Sequence, residues 1–280
     1  MPGLTTADGR ALSYLQHGAG RPLVCHPGGP GAPVELFGDL GGLDEHRTLI
    51  MLGPRGVGGS DPADSYRLED YAADLEELRT HLALERMDLF GHSAGGFMSV
   101  VYASTYPERV GRLVLCGSFA RFSDEFRAGF DRFLADREHD PRFADAVAAR
   151  RARDENPPDD DEELGLLAMR GLPLLFGRYE AREQAFFASL FAKGARFHAP
   201  AIRYFNERVA PTLDLRPALE KIDAPTLVLA GELDPWAALA VPELGSHLRD
   251  ARVVVLPGVG HMPWIEEPET FRRELLDFLG

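Results

Sequence analysis

The sequence predicts a mostly parallel, doubly wound α/β sheet interrupted by an all-helical insertion. Three observations carry that expectation. Short apolar runs alternate with amphipathic stretches up to residue 118 and again after residue 210. The stretch between them loses its β-branched runs, and one apolar run ends directly in a Gly-x-Ser-x-Gly pentapeptide that opens a helical pattern. Residues 1–118 and 211–280 therefore read as one sheet domain, and residues 119–210 as a helical cap carried on it.

Taken in order, strands are expected over residues 11–16, 22–25, 48–52, 87–90 and 113–116. Residues 68–84 are helical in pattern: Glu69 and Asp70 suit the positive end of a helix dipole, and Leu75, Leu78 and Leu82 share one stripe. Residues 97–103 form an apolar helix that Tyr106-Pro107 stops. Over residues 119–210, Arg, Glu, Ala, Phe and Leu recur at helical spacing. There Asn156-Pro157-Pro158 reads as a loop, and the acidic run Asp159-Asp160-Asp161-Glu162-Glu163 as the solvated start of a helix rather than a metal site. Strands resume over 224–230 and 252–256, and a helix over 268–279 closes the chain.

At 280 residues and 45% hydrophobic content, the chain is long enough to bury a full core. Its formal net charge of −14 argues against a nucleic-acid partner, because phosphate binding draws on clustered Lys and Arg. Cys25 and Cys116 both fall in apolar runs, where a thiol behaves as a small buried hydrophobe and no disulfide framework is implied. No run spans a bilayer and the N-terminal residues do not resemble a secretion signal, so a cytoplasmic location is expected. Neither a cofactor nor a metal is expected, and the partner is a small molecule or short peptide.

The chemistry centres on Leu89-Phe90-Gly91-His92-Ser93-Ala94-Gly95-Gly96. A strand that breaks into so tight a turn raises the Ser93 hydroxyl above the end of the sheet and leaves the Ala94 N–H facing whatever Ser93 attacks. A serine hydroxyl is a weak nucleophile at neutral pH, so it needs a base, and the base needs an acid. Asp234 falls in the loop after one expected strand and His261 in the loop after the next. Loops at the carboxyl ends of parallel strands gather on one edge, so the three side chains can converge. Glu232 and Glu266 are the acids that compete with Asp234; Asp234 is preferred by its position in the loop. His92 reads as a packing or hydrogen-bonding residue rather than a second base. The first expected loop, His26-Pro27-Gly28-Gly29-Pro30-Gly31, bends sharply enough to present backbone donors, and Gly29 is the candidate for a second oxyanion donor beside Ala94.

These residues resemble those of the α/β-hydrolase superfamily and, within it, the proline iminopeptidase group of serine peptidases. Pro27-Gly28-Gly29-Pro30-Gly31 is similar to that group's His-Gly-Gly-Pro-Gly, and Arg55-Gly56-Val57-Gly58-Gly59-Ser60 to its Arg-Gly-x-Gly-x-Ser turn. The chain departs where Pro27 replaces the usual His and where Gly53-Pro54 precede Arg55. The resemblance implies a Ser93–His261–Asp234 triad, a helical cap, and cap carboxylates that hold a free α-amino group. Tyr179-Glu180 is similar to one such site, whereas Ala201 stands where the second acid is expected. Glu183, Glu207 and Asp214 are the alternatives.

The leading expectation is a cofactor-independent serine hydrolase acting on a small amide or ester, in its most specific form an aminopeptidase removing an N-terminal proline-like residue. Gly28, Glu180, Tyr204 and Trp236 are the expected substrate contacts. An esterase, lactonase or thioesterase acting on an uncharged small molecule is the alternative, and a noncatalytic binding protein the third.

Overall fold

The computed structural model describes residues 2–156, 158, 160–192, 194–236 and 240–280. Eight strands form one sheet in the order β1-β2-β4-β3-β5-β6-β7-β8. They are β1 (Gly3–Thr5), β2 (Ala11–Gly18), β3 (Arg21–His26), β4 (Arg47–Leu52), β5 (Met87–His92), β6 (Val110–Cys116), β7 (Thr226–Gly231) and β8 (Ala251–Leu256). The β1–β2 and β2–β4 pairs are antiparallel; every pair from β4 to β8 is parallel.

The β1 strand lies outside the expected set. It has three residues and buries only Leu4, too short for a period to register. β5 runs two residues beyond its expected end because the parallel ladder continues until His92 pairs with Cys116. Conversely, the helix α1 (Leu68–His81) stops short of residue 84, since Ala83 turns into the left-handed region at φ 52°. Its start is secured by Asp70, whose carboxylate accepts the Arg67 N–H at 3.1 Å.

Successive strand residues point to opposite faces, and each face has its own helical cover. Val24, Leu89, Leu115 and Val228 pack with Tyr71, Leu75 and Leu78 of α1 and with Phe97 and Val100 of α2 (Ala94–Thr105). Leu23, Cys25, Phe90, Val114 and Leu229 pack with Phe37, with Trp264 of the short helix 263–266, and with Phe271 and Leu275 of the helix 268–279. Each such side chain contributes about 1.5–3 kcal/mol on burial, which is why the alternation in sequence translates into a two-sided sheet.

Between β6 and β7 the chain is helical: α3 (Asp124–Arg137), α4 (Ala144–Glu155), α5 (Asp161–Arg170), α6 (Ala181–Ala192) and α7 (Ala199–Tyr204). Asp160 of the acidic run caps α5, accepting the Glu163 N–H at 2.8 Å. Pro157 and Asp159 of the expected loop and acidic run lie outside the described residues. The segment is fastened to the sheet domain by aromatic contacts: Phe205 stacks on Phe97 at 6.0 Å, and Phe119 meets Phe97 at 4.9 Å.

The Arg55-Gly56-Val57-Gly58-Gly59-Ser60 turn is built for this fastening. Arg55 grips buried Asp74 through two bonds of 2.6 and 2.9 Å and donates to the Ser65 and Asp70 carbonyls. Ser60 donates to the Gly53 carbonyl at 2.7 Å. The His198 ring lies against Gly56, and its Nε2 is 2.8 Å from the Tyr66 hydroxyl. This motif holds structure together.

Candidate active site

The parallel strands present their carboxyl ends on one edge, where His26, Leu52, His92, Cys116, Gly231 and Leu256 are the last strand residues. After β3 the chain adds β4 on one side and then β5 on the other, so the strand order reverses between β3 and β5. A crevice opens at such a switch point.

Ser93 occupies it. Its backbone stands at φ 54°, ψ −123°, one of three non-glycine residues with positive φ among those described. Holding a non-glycine residue there costs on the order of 1–3 kcal/mol, which the surrounding bonds must over-determine. The Ser93 N–H donates to the Cys116 carbonyl at 2.8 Å, and α2 begins at Ala94. The loop after β3 closes on it from the other side: a Cβ on Gly28 would stand 2.5 Å from Ser93 Cβ, and one on Gly95 would collide with the His26 carbonyl. Gly29, at φ 50°, follows in the same loop and is exposed, with Phe197 nearby.

Asp234 and His261 arrive from the loops after β7 and β8. His261 Nδ1 is 2.7 Å from Asp234 Oδ2, and both residues are nearly fully buried. A carboxylate only accepts, so Nδ1 carries the proton and Nε2 is left as the basic nitrogen. The other carboxylate oxygen accepts the Trp236 N–H at 2.9 Å, which fixes the plane of Asp234. The imidazole rests on Gly117, where a Cβ would be 2.9 Å from its Nδ1 and 3.1 Å from Asp234 Oδ2. Gly117 follows Cys116, the residue that accepts from Ser93, so one strand end supports both Ser93 and the imidazole.

The His92 ring packs tilted against His261, 4.4 Å between centroids, and donates from Nε2 to the His261 carbonyl at 3.0 Å. Burial and the neighbouring His261 push its pKa well below the ordinary histidine value. It is a neutral donor, in keeping with the packing and hydrogen-bonding place expected of it. The competing acids are occupied elsewhere: Glu232 accepts the Gly258 N–H at 2.9 Å, and Glu266 accepts three backbone N–H groups.

The expected substrate contacts divide. Gly28 lies against Ser93, and the Trp236 ring meets His261 edge-on at 4.8 Å while stacking on Phe130 at 5.7 Å. Tyr204 instead pairs with Tyr66 at 5.9 Å and with Ser65. Glu180 is exposed, its backbone N–H donating to the buried Glu183 and its carbonyl accepting the Gln184 N–H. Glu207 is exposed, Asp214 is bonded to Arg216, and Ala201 is buried in the apolar core. Among the described residues no cluster of three or more His, Cys, Asp or Glu forms a metal-binding group, and no helix is long and apolar enough to cross a membrane.

A family profile described as the alpha/beta hydrolase fold matches residues 21–268. The chain belongs to the α/β hydrolase family. The hydrolase is similar over nearly its whole length to a 2-hydroxy-6-oxo-2,4-heptadienoate hydrolase of Pseudomonas putida, 30% identical with 99% of this chain and 95% of that protein covered. A proline iminopeptidase of Heyndrickxia coagulans is 23% identical, with 95% and 93% covered. An esterase structure from Exiguobacterium antarcticum shares the fold at a TM-score of 0.75 and 21% identity, covering 99% of this chain and 98% of that one.

Sequence reasoning missed Gly117 and the Leu175 carbonyl, which accepts the His261 N–H at 2.6 Å. A glycine directly after a buried strand was a visible signal for the first. The second is a backbone atom on a distant segment and left no trace in side-chain pattern.

Proposed function

We propose that this protein is a serine hydrolase that cleaves a small ester or amide through an acyl-enzyme. Ser93 Oγ attacks the carbonyl carbon as His261 Nε2 takes its proton, and the tetrahedral intermediate places its oxyanion between the Gly29 and Ala94 N–H groups. Collapse breaks the bond to the leaving group, which receives the proton from His261. Water then repeats the cycle: His261 removes its proton, the hydroxide adds to the acyl carbon, and Ser93 leaves as the free hydroxyl. Asp234 holds the imidazole tautomer and offsets its positive charge. Residues 119–210 act as the cap over this site.

The observation that carries this reading is the strained Ser93 held by Cys116, with an imidazole seated on the next residue, Gly117, and its Nδ1 tied to buried Asp234 at 2.7 Å. The rings near His261, Trp236 and Phe130, favour an uncharged apolar substrate group. An ester or uncharged amide is therefore the preferred substrate, because the carboxylates offered for an α-amino group are exposed or bonded elsewhere. The aminopeptidase reading rests on the Pro27-Gly28-Gly29-Pro30-Gly31 loop lying against Ser93 and on the iminopeptidase relative.

Hydrolysis of a short-chain aryl ester, a proline arylamide and its N-acetylated form separates the two, each measured with wild type and Ser93→Ala. Ester cleavage lost in Ser93→Ala is the expected result. Cleavage confined to the free-amine amide would reverse the preference, and activity persisting in Ser93→Ala would refute the assignment of the nucleophile.

A further inference from the structure

We infer that Glu266 is a positioning residue, whose carboxylate ties the loop carrying His261 to residues 177–178 of the helical segment and so fixes the imidazole against Asp234. The inference rests on the reading of His261 as the base.

Glu266 is the last residue of the helix 263–266, and its side chain reaches back beneath the loop that precedes His261. One oxygen accepts the Gly260 N–H at 2.6 Å. The other accepts the Gly177 N–H at 2.9 Å and lies 3.4 Å from the Arg178 nitrogen. Two residues earlier, the Leu175 carbonyl takes the His261 N–H at 2.6 Å. Residues 175–178 and 260–261 are thus joined by four N–H bonds, three of them on a single carboxylate. The contact is close enough that a Cβ on Gly260 would stand 2.5 Å from the Leu175 oxygen.

The consequence falls on the imidazole because His261 has little other freedom. Its N–H is held by Leu175, its carbonyl by His92 and its Nδ1 by Asp234. Releasing Gly260 loosens the only neighbour of His261 on its N-terminal side. In a site where a 1 Å misplacement costs on the order of 100-fold in rate, that slack is expressed in kcat.

The carboxylate is also poised to titrate. Burial is the main cause that lifts it, three N–H bonds oppose the lift, and Glu183 of α6 adds to it, leaving its pKa raised to about 7. The other charged groups around the latch are Arg178, whose guanidinium lies by Gly258, and Glu232, which accepts the Gly258 N–H. Protonating one oxygen removes an acceptor that Gly260 or Gly177 uses, so the latch weakens as pH falls through neutrality.

The test is the rate of Ser93 labelling by a fluorophosphonate, together with kcat and KM on an aryl ester, from about pH 5 to 9. Glu266→Gln should lower kcat about tenfold with KM within about twofold, and remove one proton-linked step from the acid limb of the profile. Glu183→Gln, which leaves the latch in place, should move that limb to lower pH; it keeps the test decisive if Glu266→Gln does not fold. A Glu266→Gln profile that superimposes on wild type, or a Glu183→Gln limb that stays put, overturns the role. A wild type that does not label at Ser93 removes the base itself, and the inference with it.

Discussion

Replacing Gly117 with alanine tests the geometry of the site without replacing any reacting group. The new Cβ would be 2.9 Å from both Cε1 and Nδ1 of His261 and 3.1 Å from Asp234 Oδ2, whereas ordinary contacts begin near 3.4 Å. The imidazole must therefore retreat by about 0.5 Å, and His92, Trp236 and the Leu175 carbonyl limit where it can go. On a scale of about 100-fold per ångström of misplacement, the retreat costs roughly tenfold in kcat/KM, or about 1.4 kcal/mol of transition-state stabilisation. Alanine at φ 60° adds about 1–2 kcal/mol of backbone strain, which lowers Tm by a few degrees. Steady-state hydrolysis of the aryl ester gives the first quantity, and a thermal melt followed by circular dichroism the second. A Gly117→Ala enzyme with wild-type kcat/KM would refute the claim that His261 is seated on this glycine.

Two further outcomes follow from buried charge and buried imidazole. Asp74→Ala removes the carboxylate that buried Arg55 bonds twice, leaving it only Asp70 at 3.9 Å among the described residues, and should cost about 3 kcal/mol of unfolding free energy in urea; a loss below about 1 kcal/mol would mean the pair is dispensable. His26 has its pKa lowered to about 4, chiefly by burial. Unfolded histidine binds its proton near pH 6.5, so between about 6.5 and 4 the unfolded state holds more protons and stability falls as pH drops, by up to about 3 kcal/mol. His26→Phe should shrink the difference in urea midpoint between about pH 7.5 and 4.5, and an unchanged difference would assign the acid sensitivity to other groups such as His92.

Much of the sheet could be read directly because its central strands are buried on both faces and appear as unbroken apolar runs, such as Leu227-Val228-Leu229-Ala230. β1 and the end of α1 escaped for opposite reasons. One is too short to show a period, and the other ends through a left-handed residue, Ala83, whose composition carries no turn signal. The helical character of residues 124–204 was visible in the loss of β-branched runs, but which of its surfaces meet the sheet was not. That is why the sequence did not show that Tyr204 pairs with Tyr66, that the Glu180 side chain is exposed, or that Trp236 meets His261.

Taken alone, the sequence determined the turn that strains Ser93 and the strand-end positions of Asp234 and His261, because those depend on residue types within a few positions of one another and on the rule that parallel strands end on one edge. Only the tertiary structure decided which acid faces the imidazole, what His92 donates to, and that Glu266 and Leu175 brace the loop between them. Those choices turn on distances of a few tenths of an ångström between segments as much as 169 residues apart, as from His92 to His261, and such distances arise from packing.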